Sequence, residues 1–335
     1  MGERDMAAKV DLITGFLGSG KTTFIQTYAR YLMRQGQKVG IIENDYGSVN
    51  VDMMLLQDLE KEGAVTEMVI GGDLSCYRRR FRTKLITMGM QNLDRVLVEP
   101  SGVFDVDEFF DAMYEDTISN LCGIGSVISI VDVSMTYPLD HDAAYLLVSE
   151  VADSGIVLLS HAEKGKDGIR DRRADETVRY LNRAMQQFGC GRRFVEQYDQ
   201  KTSGYGKDVL LKDWNSLTDA DFERIREASF REFDHVKLQT EQAFQTLYYM
   251  NLGRGREELM SAAAELLGQG SEESRYGRIL RIKGFFREGE KWYELNATRT
   301  GLNIRELSEG QDVLIVIGEH LDAKAIDERI GARHI

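Results

Sequence analysis

GFLGSGKT, residues 15–22, has the spacing Gly-x-x-x-x-Gly-Lys-Ser/Thr, and its flanks are those of a phosphate-binding loop. KVDLIT (9–14) before it is a short apolar run with the length of a buried strand. TTFIQTYARYLMRQ (22–35) after it carries apolar residues at helical spacing. Gly15, Gly18 and Gly20 permit backbone angles and close approaches that a Cβ would block, so N–H groups are free to converge on phosphate oxygens. The following helix N-terminus adds a favourable field. Lys21 is placed to bridge the β and γ phosphates and the Thr22 hydroxyl to ligate Mg²⁺. Ser19 and Thr23 complete the nucleotide-binding set. A glycine turn fitting the pattern by accident would lack this strand and helix.

Outward from the loop, the strand pattern repeats in KVGIIEND (38–45), RVLVEPSG (95–102), GSVISIVDV (125–133) and SGIVLLSHAE (154–163). Helical stretches such as VDEFFDAMYED (106–116) and DETVRYLNRAMQQF (175–188) lie between or after them. Buried strands alternating with helices predict an α/β nucleoside-triphosphatase domain: a mostly parallel sheet with helices on both faces. Polar residues gather at the strand carboxyl ends: Thr14; Glu43 with Asn44 and Asp45; Glu99 with Ser101; Ser160 with Glu163. Ligands bind at that edge in such sheets. Strand ends also turn polar merely on reaching water, but four ends rich in oxygen donors exceed that need. Glu99 is suited to the Mg²⁺ shell, and Gly102, three residues on, to meeting the γ-phosphate with its N–H.

The pattern changes after about residue 212. LTDADFERIREASF (217–230) reads as a closing helix, followed by strands in FQTLYYMNL (244–252), GRILRIKGFF (277–286), KWYELNA (291–297) and QDVLIVIG (311–318). Helices REELMSAAAELL (256–267) and DAKAIDERI (322–330) accompany them. The expected organisation is a nucleotide domain over 1–228 and a smaller α+β domain over 229–335.

The whole chain bounds what these parts do. Its 335 residues are 42% hydrophobic and 29% charged, as in a folded globular protein. A formal net charge of −13 argues against nucleic acid as the main partner, since that binding rests on neutralising phosphates. Three widely spaced cysteines, Cys76, Cys122 and Cys190, imply no disulfide framework and a reducing, cytoplasmic setting. No apolar run reaches membrane-spanning length, so no membrane partner is expected.

TGFLGSGKTT (14–23), ENDYGSVNVD (43–52) and VEPSG (98–102) together resemble the CobW-type GTPases, relatives of the nickel-maturation GTPases, and GRILRIKGFF and DVLIVIGEHLD (312–322) resemble that family's C-terminal domain. The resemblance covers nearly the whole chain. It implies GTP and GDP as ligands and a slow hydrolysis driving delivery of a metal or metallocofactor, such as cobalt in corrinoids, to a client metalloprotein or corrinoid protein. A homodimer is among the assemblies it allows. Asp45, then Glu43, are the candidates to orient the attacking water.

Two segments depart from the family pattern. Its guanine motif Asn-Lys-x-Asp stands here as Ser160, His161, Ala162 and Glu163, with His161 read as a lid over the base. Its metal motif Gly-Cys-x-Cys-Cys stands as Gly72, Asp73, Leu74, Ser75 and Cys76 within IGGDLSC (70–76). Cys76 with Asp73 and Glu43 then forms a conditional site for Zn²⁺, Co²⁺ or Ni²⁺, harder than a three-thiolate one. A packed, inert Cys76 is the alternative. YRRRFRTK (77–84) reads as a solvated helix face or, less simply, a dock for an acidic partner. Two rivals to metal delivery remain: a small-molecule kinase using the same loop, and a nucleotide-switched assembly factor with no metal of its own.

Overall fold

The computed structural model describes residues 7–16, 18–45, 58–70, 74–100, 106–162, 171–236, 245–268, 275–298, 301–307 and 310–334. It contains two compact units. The first is built on a nine-stranded sheet whose strands are β1 (Ala8–Thr14), β2 (Val39–Asp45), β3 (Val65–Ile70), β4 (Arg95–Glu99), β5 (Cys122–Asp132), β6 (Ile156–Ser160), β7 (Tyr198–Asp199), β8 (Gly204–Tyr205) and β9 (Val209–Leu211). Their order is β3-β2-β4-β1-β5-β6-β9-β8-β7. Every pair from β3 to β9 is parallel, and β8 and β7 close the edge antiparallel. The four apolar runs beyond the first fall on β2, β4, β5 and β6. β3 and β9 lacked sequence prominence because VTEMVI mixes polar residues into its run and VLL is only three residues long.

Helix α1 (Lys21–Arg34) forms because Phe24, Ile25, Tyr28, Tyr31 and Leu32 share one face and bury it. It stops at Gly36, whose φ of 80° permits the left-handed turn. The Gly36 N–H then donates to Met33 O and the Gln37 N–H to Leu32 O, satisfying two terminal carbonyls. With α7 (Asp219–Arg226), α1 covers Ile13, Ile41, Leu97, Ile128, Ile130 and Leu158 on one sheet face. Full burial of a side chain such as Phe24 contributes roughly 1.5–3 kcal/mol. On the opposite face α2 (Leu74–Met90) and α3 (Val106–Met113) bring Phe81, Leu85 and Phe109 against Val10, Leu12, Val98 and Val127. A short α4 (Asp116–Ser119), then α5 (His141–Ala152) and α6 (Arg173–Gln187), follow in the chain. The outer face of α2 is solvated, as its basic run suggests. Several of its cations are nonetheless matched: Arg78 to Glu108 at 2.6 Å, Arg82 to Glu115 at 2.7 Å and Lys84 to Glu67 at 2.6 Å.

Asp11 ties this unit together. Completely buried, it receives Arg95 Nη1 at 2.8 Å, the Tyr28 hydroxyl at 3.0 Å and the Ser126 N–H at 2.7 Å, joining β1, β4, α1 and β5. Burial lifts its carboxyl pKa, and Arg95 works against that rise.

The second unit is a two-layer α+β sandwich. Strands β10 (Gln245–Met250), β11 (Arg278–Glu288), β12 (Lys291–Thr298), β13 (Gly301–Leu307) and β14 (Val313–Glu319) form one antiparallel sheet, ordered β10-β14-β11-β12-β13. Helices α8 (Arg256–Leu266) and α9 (Ala323–Ile330) pack on one face over Tyr249, Ile282, Phe286, Leu295 and Val316. The other face mixes Phe285, Val313 and Ile315 with the ion pairs of Glu294 to Lys283 and Arg305. No helix among the described residues is long and apolar enough to cross a membrane.

Candidate functional site

The carboxyl edge of the parallel sheet carries the candidate site. β1 delivers Thr14 into the glycine loop, where Gly15, Gly18 and Gly20 have φ of 141°, 87° and 98°. Each angle lies where side chains are strained. At Gly15 a Cβ would also meet Ile130 O at 2.3 Å, so the loop lies against β5 with no room for one. The Ser19 N–H donates to Phe16 O at 3.0 Å and closes the turn. Lys21, 5% exposed, folds over the loop and donates to Gly15 O at 2.6 Å and Phe16 O at 3.1 Å. Thr23 is exposed beside it on the first turn of α1.

The Thr22 hydroxyl donates to Glu99 Oε1 at 2.8 Å, bringing the end of β4 to the start of α1. Strand register places Glu43 directly beside Glu99, and both carboxylates are buried. The Thr22 hydroxyl thus meets the Glu99 carboxylate where β4 and the loop meet, with Glu43 as the neighbour of Glu99 on β2. Oxygen donors of this kind suit a small hard divalent cation.

At β5 and β6, Asp132 and Ser160 are register partners. His161 adopts a left-handed φ of 54° and puts Nδ1 2.9 Å from Asp132 Oδ2, its own side chain half exposed. Burial would raise the Asp132 pKa, but the hydrogen bonds and charge from His161 and Ser134 hold it below the usual carboxylate range. Ser160 is buried, its hydroxyl donating to Val131 O at 3.4 Å.

Three further residues reach this region. Trp214, after β9, would touch a Cβ at Gly20 with Nε1 at 3.2 Å and lies 5.4 Å from the Phe24 ring. Asp132 pairs with His161 as above. Glu150, on α5, is 1% exposed; it accepts from the Gly15 N–H and feels the charge of Lys21, while burial drives its pKa to about 8. Only Glu150 and Asp132 left a trace in the sequence, the first as a lone acid inside AAYLLVSEVA and the second as the acid ending the strand run of β5. Nothing local distinguishes Trp214.

Several expected site residues lie outside the described residues: Gly102, Glu163 and Asp73, and the side chains of Asp45 and Cys76. Cys122 and Cys190 are buried, free thiols whose pKa burial raises, as suits inert packing. Among the described residues no three His, Cys, Asp or Glu side chains group as a metal site.

The family model for the CobW/HypB/UreG nucleotide-binding domain matches residues 9–188, and that for the cobalamin synthesis protein cobW C-terminal domain matches 256–333. The zinc chaperone YeiR of Escherichia coli is 26% identical over 203 residues, 60% of this chain and 58% of that protein. The zinc chaperone CobW of Pseudomonas aeruginosa is 28% identical over 134 residues, 37% of this chain and 35% of that one. The chain therefore spans less than two thirds of these relatives' length. A solved Zn(II)-bound YjiA GTPase from E. coli aligns over 97% of this chain and 98% of that one at 14% identity, with a TM-score of 0.31.

Proposed function

The chain belongs to the CobW/HypB/UreG family, and from that premise we propose that it binds a nucleoside triphosphate, GTP by preference, hydrolyses it slowly with Mg²⁺, and uses the cycle to deliver a metal or metallocofactor to a client protein. The observation that carries this reading is the Thr22–Glu99 hydrogen bond beside Lys21 and the glycine loop. Mg²⁺ fits the oxygen set of Thr22 and Glu99, and when bound it would supply neutralisation of phosphate charge. The chain's own groups do the rest. Lys21 and the loop amides grip the β and γ phosphates, Gly102 meets the γ-phosphate, and Asp45, with Glu43 second, orients the attacking water. Ser160, His161 and Glu163 receive the base. The nucleotide domain is assigned to 1–228 and the C-terminal domain to 229–335.

Zinc chaperones among the relatives favour Zn²⁺ as cargo, with Co²⁺ and Ni²⁺ accepted by similar donors. Cys76, Asp73 and Glu43 are its proposed holders. Because Asp and Ser stand where two thiolates would be, a nucleotide-switched assembly factor without its own metal is the second reading. Calorimetry with GTP, GDP and ATP, with and without Mg²⁺, on the wild type and Lys21→Ala tests the nucleotide site. Triphosphate affinity unchanged by Lys21→Ala refutes it. Metal analysis beside single-turnover hydrolysis separates the two readings.

A further inference from the structure

Glu150 is the only charged residue in the run AAYLLVSEVA (143–152), and it is buried. The Gly15 N–H donates to its carboxylate, and among the described residues Lys21 is the one charged group acting on it. Lys21 in turn grips Gly15 O and Phe16 O, so acid and ammonium hold the same glycine from its two polar groups. Thr14 and Ser129 are register partners, and Leu12 and Val127, two residues before each, pack on the sheet face away from α1. That alternation sets Thr14 and Ser129 on the face that carries α3, the helix α5 contacts. Both hydroxyls, like Glu150 Oε2, are buried without a hydrogen-bond partner among the described residues. Buried oxygens of this kind call for a proton or water to satisfy them.

A buried carboxylate is tolerated where an opposite charge faces it, and becomes costly when that charge is drawn to another anion. Nucleotide phosphates are such an anion, and they arrive at the same Lys21 and the same loop. We propose that Glu150 is the proton-carrying counter-charge of the phosphate site: in mildly alkaline solution, where it is ionised, it balances Lys21 before nucleotide arrives, and it takes up one proton from solvent when the phosphates engage the lysine. The inference rests on the nucleotide reading above and adds a coupling between binding and pH. The groups that act on Glu150 are Lys21 from α1 and the Gly15 N–H from the loop, and the uncharged hydroxyls of Thr14 and Ser129 lie on the sheet face that carries α3. Burial has already raised its pKa to about 8, so the exchange falls in an accessible range. Below that pH the acid is already protonated and little is taken up; above it uptake approaches one proton, and affinity falls up to about tenfold per pH unit.

The test is calorimetry of Mg·GTP and Mg·GDP binding to the full chain at pH 6.5, 8 and 9, each in HEPES and in Tris. The difference in buffer ionisation heat counts protons. Wild type is expected to take up little at pH 6.5, about half a proton at pH 8 and nearly one at pH 9. Glu150→Gln, which keeps the shape and the Gly15 hydrogen bond, should bind with no such uptake and a flatter affinity profile. Saturable binding with no uptake in wild type at pH 8 and 9 overturns the proposal, and so does equal uptake in Glu150→Gln. The wild-type count decides even if the variant fails to fold. Absence of binding at every pH removes the nucleotide reading itself and this inference with it.

Discussion

Thr22 Oγ1 stands 2.8 Å from Glu99 Oε1 although 77 residues separate them in the chain. The contact exists because β1 and β4 are parallel neighbours and the loop after β1 turns α1 back across the end of β4. If this pair holds Mg²⁺, Glu99→Gln and Thr22→Ala should each weaken Mg²⁺-dependent GTP binding while leaving Mg²⁺-free binding nearly unchanged. Loss of one charge-assisted contact, about 1.5–3 kcal/mol, corresponds to roughly 10- to 150-fold. Calorimetry with Mg²⁺ and with EDTA reads the difference; full Mg²⁺ dependence in Glu99→Gln contradicts the assignment.

Arg95 and Asp11 form a pair buried in the middle of the sheet, 2.8 Å apart. Arg95→Met leaves Asp11 buried with, among the described residues, the Tyr28 hydroxyl and the Ser126 N–H as its remaining partners. Breaking a buried pair in this way costs about 3–5 kcal/mol. Urea unfolding should show a loss of that size in Arg95→Met. A change below about 1 kcal/mol, the scale of an exposed pair, would mean that the network does not hold the strands.

Base discrimination should be weaker than with an intact Asn-Lys-x-Asp motif. Ser160 spends its hydroxyl on Val131 O and is too short to duplicate an amide, while His161 is drawn toward Asp132. Each missing neutral hydrogen bond is worth roughly 0.5–1.5 kcal/mol, so preference for GTP over ATP should drop by about one to two orders of magnitude. Competition binding measures this. A strong GTP preference that Glu163→Ala abolishes would show that the altered motif reads guanine fully.

The phosphate loop and the parallel fold were legible because both depend on local signals: glycine spacing, apolar run length and helical periodicity. The same holds for β10, β11, β12 and β14 of the second unit. What sequence could not supply was contact between distant segments. Glu43 beside Glu99 is a product of strand order, in which β2 neighbours β4 rather than β1. His161 meets Asp132 because β5 and β6 run parallel in register, and Trp214 reaches Gly20 from the turn that follows the three-residue β9. Glu150 was not singled out from the sequence, although it stands as a lone acid in an apolar run, and only the packing of α5 against the loop identifies its partner.

Glu150 also makes a prediction that needs no nucleotide. Its pKa rises from an ordinary 4.5 to about 8 on folding, burial being the larger cause and Lys21 opposing it. The folded protein therefore holds this proton more tightly than the unfolded chain. Stability from the group is fully present below about pH 4.5 and is lost progressively as pH rises toward 8, because folding must then keep a proton that the unfolded chain has released. In Glu150→Gln the proton is replaced by an amide at every pH, so that slope should vanish. Urea unfolding of the two proteins from pH 5 to 9 should show wild type losing stability relative to Glu150→Gln up to about pH 8, with the difference constant above it. Parallel curves across the whole range would mean that Glu150 titrates in the folded protein as it does in the unfolded chain, and that Lys21 alone offsets its burial.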